Sequence, residues 1–298
     1  MNRRGRNPRR APSLARAALS GRVYRIRELI RARRAFSRRL RILFSEKKDW
    51  EKPLRAGFRF TGHEVFFGEL SRAAVSNCDL VVPLTIADLA VLNSMRDAVA
   101  ANPLPIPAQD AVRLCEDKSR LNRFLAAAGF AGSVPALEAV SSFPYILKKN
   151  VDGWGENTHV VRNAGDEERF SDLLARTDYF RQELVPGNRE YATHIVFRNG
   201  SVVCALDVEY GFETPLPVKG KDRPVYTRVR RCPHLALFGE VLAAIGFQGL
   251  CCFNYKERAG RPMLLEINPR FGASLAPFFF SFVPRLFERR RRGPGGMV

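Results

Sequence analysis

The sequence predicts an α/β + α+β architecture: a small parallel layer followed by a half built from antiparallel sheets. Short apolar strands alternate with helical patterns from residue 40 to about residue 128. After Gly129 the rhythm changes to paired strands joined by glycine-bearing turns. A composition of 46% hydrophobic and 27% charged residues over 298 positions is that of a packed globular protein, which excludes wholesale disorder.

Taken in order, the first twelve residues, MNRRGRNPRRAP, lack apolar periodicity and read as a disordered start. From Ser13 to about Arg39, apolar residues including Leu14, Ala18, Val23, Ile26, Leu29 and Ile30 recur at helical spacing among arginines, with Gly21 as a break point. Such a basic helix suits anionic lipid, RNA, or the covering of part of the fold, and its composition also fits a mitochondrial-type presequence. The plainest reading is a solvated arm or a packed accessory helix. Strands follow at Leu40–Phe44, Glu64–Phe67 and Cys78–Leu84, with helices expected over Ala87–Val99 and about Gln109–Ala128. The second half offers strands at Tyr145–Lys149, His159–Arg162, Tyr179–Val185, Tyr191–Arg198 and Val202–Glu209. Asn199-Gly200 favours a tight hairpin turn between the last two. A helix over Leu235–Ile245 precedes a final pair, Leu250–Tyr255 and Met263–Ile267, and the Phe278–Phe280 run reads as core.

The net charge of +19 belongs to the chain ends. Residues 1–41 hold fifteen arginines against Glu28, and residues 285–298 hold five against Glu288, which leaves the middle near neutral. That distribution, without interleaved aromatic and basic residues, argues against RNA binding as the main function. No apolar run approaches the roughly 18 residues of a membrane span. The six cysteines form no C-x-x-C pair, so reduced thiols in a cytoplasmic protein are expected, with the Cys251-Cys252 pair as inert core thiols. His63, His159, His194 and His234 have no metal spacing and read as structural. Arg228, Arg230 and Arg231 read as a solvated loop or, alternatively, a clamp for an acidic substrate.

Three segments carry chemistry. In Leu264-Leu265-Glu266-Ile267-Asn268-Pro269-Arg270, strand periodicity sends Glu266 and Asn268 to one face and Leu265 and Ile267 to the other. If the hairpin turns about Gly260, Asn254 lies opposite Glu266, giving three hard oxygen donors of the kind magnesium takes. Phe143-Pro144-Tyr145-Ile146-Leu147-Lys148-Lys149-Asn150 ends an apolar strand on lysines, ahead of Asp152-Gly153-Trp154-Gly155-Glu156-Asn157-Thr158. A lysine beside a glycine-bearing loop can neutralise phosphate oxygens while loop amides close over them. Gln182-Glu183-Leu184-Val185-Pro186-Gly187 is an extended segment able to offer backbone groups to a purine edge, with Glu190 placed to accept from ribose hydroxyls.

In this order the segments, over about Asp110 to Phe280, resemble the ATP-grasp superfamily of carboxylate-activating ligases, and the EINPRFGASL ending resembles its carbamoyl-phosphate-synthetase-like, carboxylate–amine ligase branch. The resemblance implies two α+β subdomains gripping nucleotide, preceded by a small parallel α/β domain. It implies that preceding domain at 39–112 and the grasp at 113–285, between the basic arm at 1–38 and the basic tail at 286–298 that the charge distribution marks. It further implies that Lys118, in Glu116-Asp117-Lys118, and Lys148 contact nucleotide, that Gly153 and Gly155 belong to a mobile loop, and that Glu183, Leu184 and Val185 bind adenine, with Glu190 on ribose. Asn254, Glu266 and Asn268 fall on metal positions, and Arg270 with Lys148 on catalytic ones. The implied cofactors are ATP and Mg2+, with Mn2+ as a substitute; the partners are a small-molecule carboxylate and a nucleophile. Lys149 stands where the family usually has proline, and Asn254 where many members have an acid. A nucleotide-binding module without catalysis, and a protein that contacts nucleic acid or an anionic surface through its basic arm, are the alternatives.

Overall fold

The computed structural model describes residues 14–36, 38–137, 142–153 and 155–288. The expected disordered start, most of the basic tail and Trp154 lie outside the described residues.

Helix α1 (Leu14–Ala35) runs unbroken through Gly21. Strands β1 (Arg41–Phe44), β2 (Glu64–Phe67) and β3 (Leu80–Val82) form a parallel sheet in the order β2-β1-β3, with Ile42 opposite both Val65 and Leu80. Helices α2 (Lys48–Phe58) and α3 (Arg72–Ser76) make the two crossovers that parallel pairing requires. Sequence periodicity misses α2 because Pro53 sits inside it, although its inward face Trp50, Leu54 and Phe58 is fully apolar. Helix α4 (Ile86–Ser94) opens with a capping box between Thr85 and Asp88.

The single helix expected over 109–128 is two: α5 (Gln109–Glu116) and α6 (Lys118–Leu125). Asp117 breaks them, because its extended backbone lets its carboxylate accept from Arg120 N at 2.9 Å and cap α6. That break puts Lys118 at the first helical position.

Strands β4 (Tyr145–Lys149), β5 (Thr158–Val161) and β6 (Tyr179–Glu183) form a small antiparallel sheet ordered β5-β4-β6, flanked by the short helices α7 (Ala164–Arg169) and α8 (Ser171–Leu174). The larger antiparallel sheet, β11-β10-β7-β8-β9, holds β7 (Arg189–Arg198), β8 (Ser201–Gly211), β9 (Tyr226–Arg230), β10 (Gly249–Arg258) and β11 (Arg261–Asn268). Asn199 and Gly200 both take positive φ, as the β7–β8 hairpin requires. Helix α9 (Leu235–Ile245) covers one face of this sheet, burying Phe238 against Phe253 in a stacked pair at 4.5 Å.

Arg228 and Arg230 lie on strand β9 of the large sheet, which corrects both sequence readings of them. They meet carboxylates on the face that α9 covers: Arg228 the buried Glu209 at 2.7 Å, Arg230 the buried Asp207 at 2.8 Å and the half-buried Glu257 at 2.9 Å. A hydrogen bond from His234 and the Arg230 charge hold Glu257 down to about 2.

The opposite face of the large sheet meets the parallel layer. A 3-10 stretch, Ala273–Ser281, runs back under β1 and α2, and helix α10 (Val283–Phe287) continues it against α1 and β8. There Phe44 touches the rings of Phe58, Phe67, Phe271 and Phe279, and Trp50 packs on Phe271. Phe279 and Phe280 are core, as expected. Helix α1 lies over the same region through Tyr24, Leu29 and Ala32, as does Phe36 just past its end.

Candidate functional site

Between the small sheet and the large one lies a cleft of about 420 Å³. Strand alternation aims its lining. On β10, Cys252, Asn254 and Lys256 face the cleft while Cys251, Phe253 and Tyr255 enter the core under α9. On β7, Glu190, Ala192 and His194 face it; on β4, Ile146 and Lys148 do.

Asn254 does pair with Glu266, but through a bulge the sequence does not reveal. Tyr255 opposes Leu264 while Asn254 opposes Glu266, so Leu265 is the extra residue on β11. The alternation expected for this segment therefore fails at one position: Leu265 lines the cleft beside Glu266 and Asn268, whereas Leu264 and Ile267 are core. Without the bulge Leu265 would face Asn254.

Glu266 is the electrostatic centre. Asn254 Nδ2 donates to its Oε1 at 2.5 Å and Asn268 Nδ2 at 2.9 Å, while Lys118 Nζ lies 3.7 Å from Oε2. Burial opposes its charge, but Lys118, the Asn268 amide, Lys148 and Lys219 outweigh that and hold the carboxyl below its usual range. Lys118 also donates to the Asp152 carbonyl at 2.6 Å, tying α6 to the loop after β4. Lys148 is 7% exposed; burial pushes its ammonium down to about 8, against an opposing pull from Glu266.

The glycine loop is internally braced. The Asp152 carboxylate accepts from Asn157 N at 2.9 Å and from Asn157 Nδ2 at 3.1 Å. Gly155 has φ +68°, and a Cβ there would stand 2.6 Å from the Lys219 carbonyl, so only glycine allows this approach. Gly155 lines the main cleft; Gly153 instead lines an adjoining cavity of about 200 Å³ that shares Lys118, Glu266, Asn268 and Arg270 with it. Arg270 donates to the Phe271 carbonyl at 2.9 Å and faces both cavities.

At the far end, Glu183, Leu184 and Val185 line the cleft. Lys256 Nζ pins this hinge by donating to the Val185 and Gly187 carbonyls, each at 3.1 Å. Glu183 is held from outside by Arg258 at 2.6 Å and by Ala136 N at 3.1 Å. Gln182 is 2% exposed, lines the cleft and keeps an unpartnered, fully buried Oε1. An orphaned acceptor there suits an exocyclic amine such as adenine's.

The residues that the resemblance assigns to nucleotide, metal and catalytic positions thus surround one cleft, except Gly153, which borders the adjoining cavity; Arg228 and Arg230 do not reach it. The structure adds Lys219, Gln182 and His194. Lys219 Nζ bonds Asn254 Oδ1 at 3.0 Å and pairs with Glu190 at 3.4 Å; burial alone would lower its pKa, but Glu190 and its other neighbours raise it on balance. It comes from the stretch between β8 and β9, where only the lysine-rich Val218-Lys219-Gly220-Lys221 hints at a role. His194 Nε2 meets Ser274 Oγ at 2.8 Å, while burial and nearby Lys219 push the ring down to about 3, leaving it neutral with an unpartnered Nδ1. A histidine on an apolar strand reads as structural from sequence alone. Cys252 is buried as expected, its thiol pushed up to about 12 by burial, yet it forms cleft wall.

Among the described residues no cluster of three or more His, Cys, Asp or Glu side chains could hold a metal. Glu266 with the amide oxygens of Asn254 and Asn268 is a donor set of the chemistry a hard cation takes, while in this arrangement both amide nitrogens donate to Glu266 and Asn254 Oδ1 accepts from Lys219.

No family model matches the chain, and neither does any curated protein sequence. Solved structures do. Phosphoribosylamine–glycine ligase from Thermotoga maritima superposes with a TM-score of 0.61 at 15% identity, covering 82% of this chain and 72% of its own. L-amino acid ligase from Bacillus licheniformis gives 0.54 at 15% identity, covering 83% and 71%. D-alanine–D-alanine ligase from Bacillus anthracis gives 0.53 at 12% identity, covering 82% and 94%. The chain therefore has the ATP-grasp fold of these ligases. No helix among the described residues is long and apolar enough to cross a membrane.

Proposed function

We propose that the chain is an ATP-dependent ligase that activates a small carboxylate as its acylphosphate for attack by an amine or similar nucleophile. One observation supports this above the rest: cations at 118 and 148 and oxygen donors at 266 and 268 line a single cleft between two sheets. Gln182 and the backbone of Glu183–Val185 would hold adenine, Glu190 the ribose, and Lys118 and Lys148 the phosphate oxygens.

The carboxylate oxygen attacks the γ-phosphorus, the bond to the β-phosphate oxygen breaks, and ADP leaves. The amine then attacks the acyl carbon, inorganic phosphate departs, and the nitrogen loses a proton. Such a transfer needs positioning and charge neutralisation rather than a nucleophilic side chain. Arg270 offers a cation between the two cavities, placed to stabilise the transferring group and the acylphosphate. Asn254, Glu266 and Asn268 would hold one Mg2+, which supplies further neutralisation of phosphate charge. The loop at 152–158 would exclude water that otherwise hydrolyses the intermediate.

Lys148→Ala tests the phosphate assignment: ATP affinity is expected to fall at least tenfold, and unaltered binding would remove it. Release of ADP across a panel of amino and hydroxy acids tests turnover.

The Lys219–Asn254 contact favours a second reading, a nucleotide-holding module without turnover, since it sets a fixed ammonium beside the only carboxylate among the three oxygen donors. Asn254→Asp discriminates: a ligase short of one charge gains Mg2+-dependent ADP release, and an inert scaffold stays silent.

A further inference from the structure

Helix α1 is apolar on two sides. Its inward stripe, Tyr24, Leu29 and Ala32, packs on the core with Phe36 just past the helix end, and the Tyr24 hydroxyl lies 3.1 Å from Ser281 Oγ. Its outward side carries Val23, Ile26 and Ile30, exposed by 56%, 60% and 50%. At about 100° per residue these three fall within an arc of about 60°. Arg22 and Arg33 border the arc on one side, Arg27 and Arg34 on the other, with Arg31 beyond, and all five are exposed. Phe60, 51% exposed, adds to this surface: its carbonyl accepts from Arg33 Nε at 2.6 Å, and Arg59 lies 5.4 Å from its ring.

Accounting for the fold leaves this second stripe unused, and water penalises it. The helix bears only one acid, Glu28, which is turned inward and 7% exposed. In sequence five arginines precede the helix, and Arg289–Arg292 follow Glu288, just after Phe287, whose ring meets Phe36 at 5.5 Å. An aliphatic centre inside a cationic rim matches an anionic bilayer surface, with aliphatic chains entering the acyl boundary and guanidinium groups meeting headgroup phosphates. RNA fits worse, because the centre of the face is Val23, Ile26 and Ile30, which offer no ring on which bases stack, and Phe60 supplies a single ring at its border rather than a row of them.

We infer that the outward face of α1, with Phe60, docks the protein on an anionic membrane surface, independently of the cleft's chemistry. The test is co-sedimentation of the full chain with vesicles of pure phosphatidylcholine, and with vesicles of three parts phosphatidylcholine to one part phosphatidylserine. The full chain is expected to sediment with the mixed vesicles only, less so as salt rises. Two double variants, Ile26→Glu with Ile30→Glu and Arg27→Ser with Arg34→Ser, are each expected to lose at least tenfold in binding. Helix content by circular dichroism, melting temperature and ATP affinity are expected to stay at wild-type values. No binding to the mixed vesicles overturns the proposal, as does wild-type binding by the isoleucine variant. A single-stranded RNA that displaces the chain from vesicles and binds the isoleucine variant equally well would reassign the face to RNA. A dimer in solution that the isoleucine variant splits, with no vesicle binding, would reassign it to a second copy.

Discussion

At Lys148 the folded chain encloses a cation with little water around it, and its ammonium titrates near 8 instead of 10.5. Between those two values the unfolded chain binds the extra proton, so stability rises with pH across roughly 8 to 10.5, and the full cost of the buried charge is present below 8. On the order of 3 kcal/mol is at stake, since each unit is worth about 1.4 kcal/mol. Chemical denaturation against pH is expected to show this rise in the wild type and to lose it in Lys148→Met. ATP affinity runs the other way. Phosphate binding favours the ammonium, so affinity falls above pH 8 and binding there takes up a proton, which calorimetry in buffers of different ionisation enthalpy measures directly. Lys148 is legible in the sequence because an apolar strand ends on it. Lys219 is not, because its position depends on how an aperiodic stretch folds back across two sheets.

Among the elements, α6 and the glycine loop set the cleft's cationic end. Asp117→Ala removes the cap that starts α6 and is expected to cost about 1 kcal/mol, read as a fall in melting temperature, with weakened ATP binding because Lys118 is the next residue. Gly155→Ala forces a Cβ against the Lys219 carbonyl at positive φ. Its expected signature is a loss of ADP release exceeding any loss of ATP affinity, measured by steady-state kinetics beside equilibrium binding. Elements with local signatures were legible: the Asn199-Gly200 hairpin, α9 and the strands β10 and β11 fall where hydrophobic period and turn residues place them. The break at Asp117 was hidden inside a continuous helical pattern, β9 beneath its arginines, and the Leu265 bulge within a regular strand pattern. Each is decided by partners distant in sequence, such as Glu209 for Arg228.

Over the whole molecule, one hydrophobic core joins Phe44, Trp50, Leu54 and Phe58 to Phe271, Leu275, Phe279 and Val283. Phe279→Ala, at a position with no exposed surface, is expected to cost about 3–5 kcal/mol. It should also loosen nucleotide binding, because Phe271, which packs on Phe279, follows Arg270. Urea unfolding followed by tryptophan emission and by ATP binding is expected to give coincident transitions, and separated midpoints would show that layer and grasp melt apart. The pattern of α/β followed by antiparallel pairs was legible from strand spacing, whereas the sharing of a core across more than two hundred residues was not, since periodicity reports which face is buried and never against what. That sharing orders events during vectorial synthesis. Trp50 and Phe58 leave the ribosome early but wait for the segment around Phe279 before they lose contact with water, so the nascent chain presents an unfinished apolar surface for most of its translation.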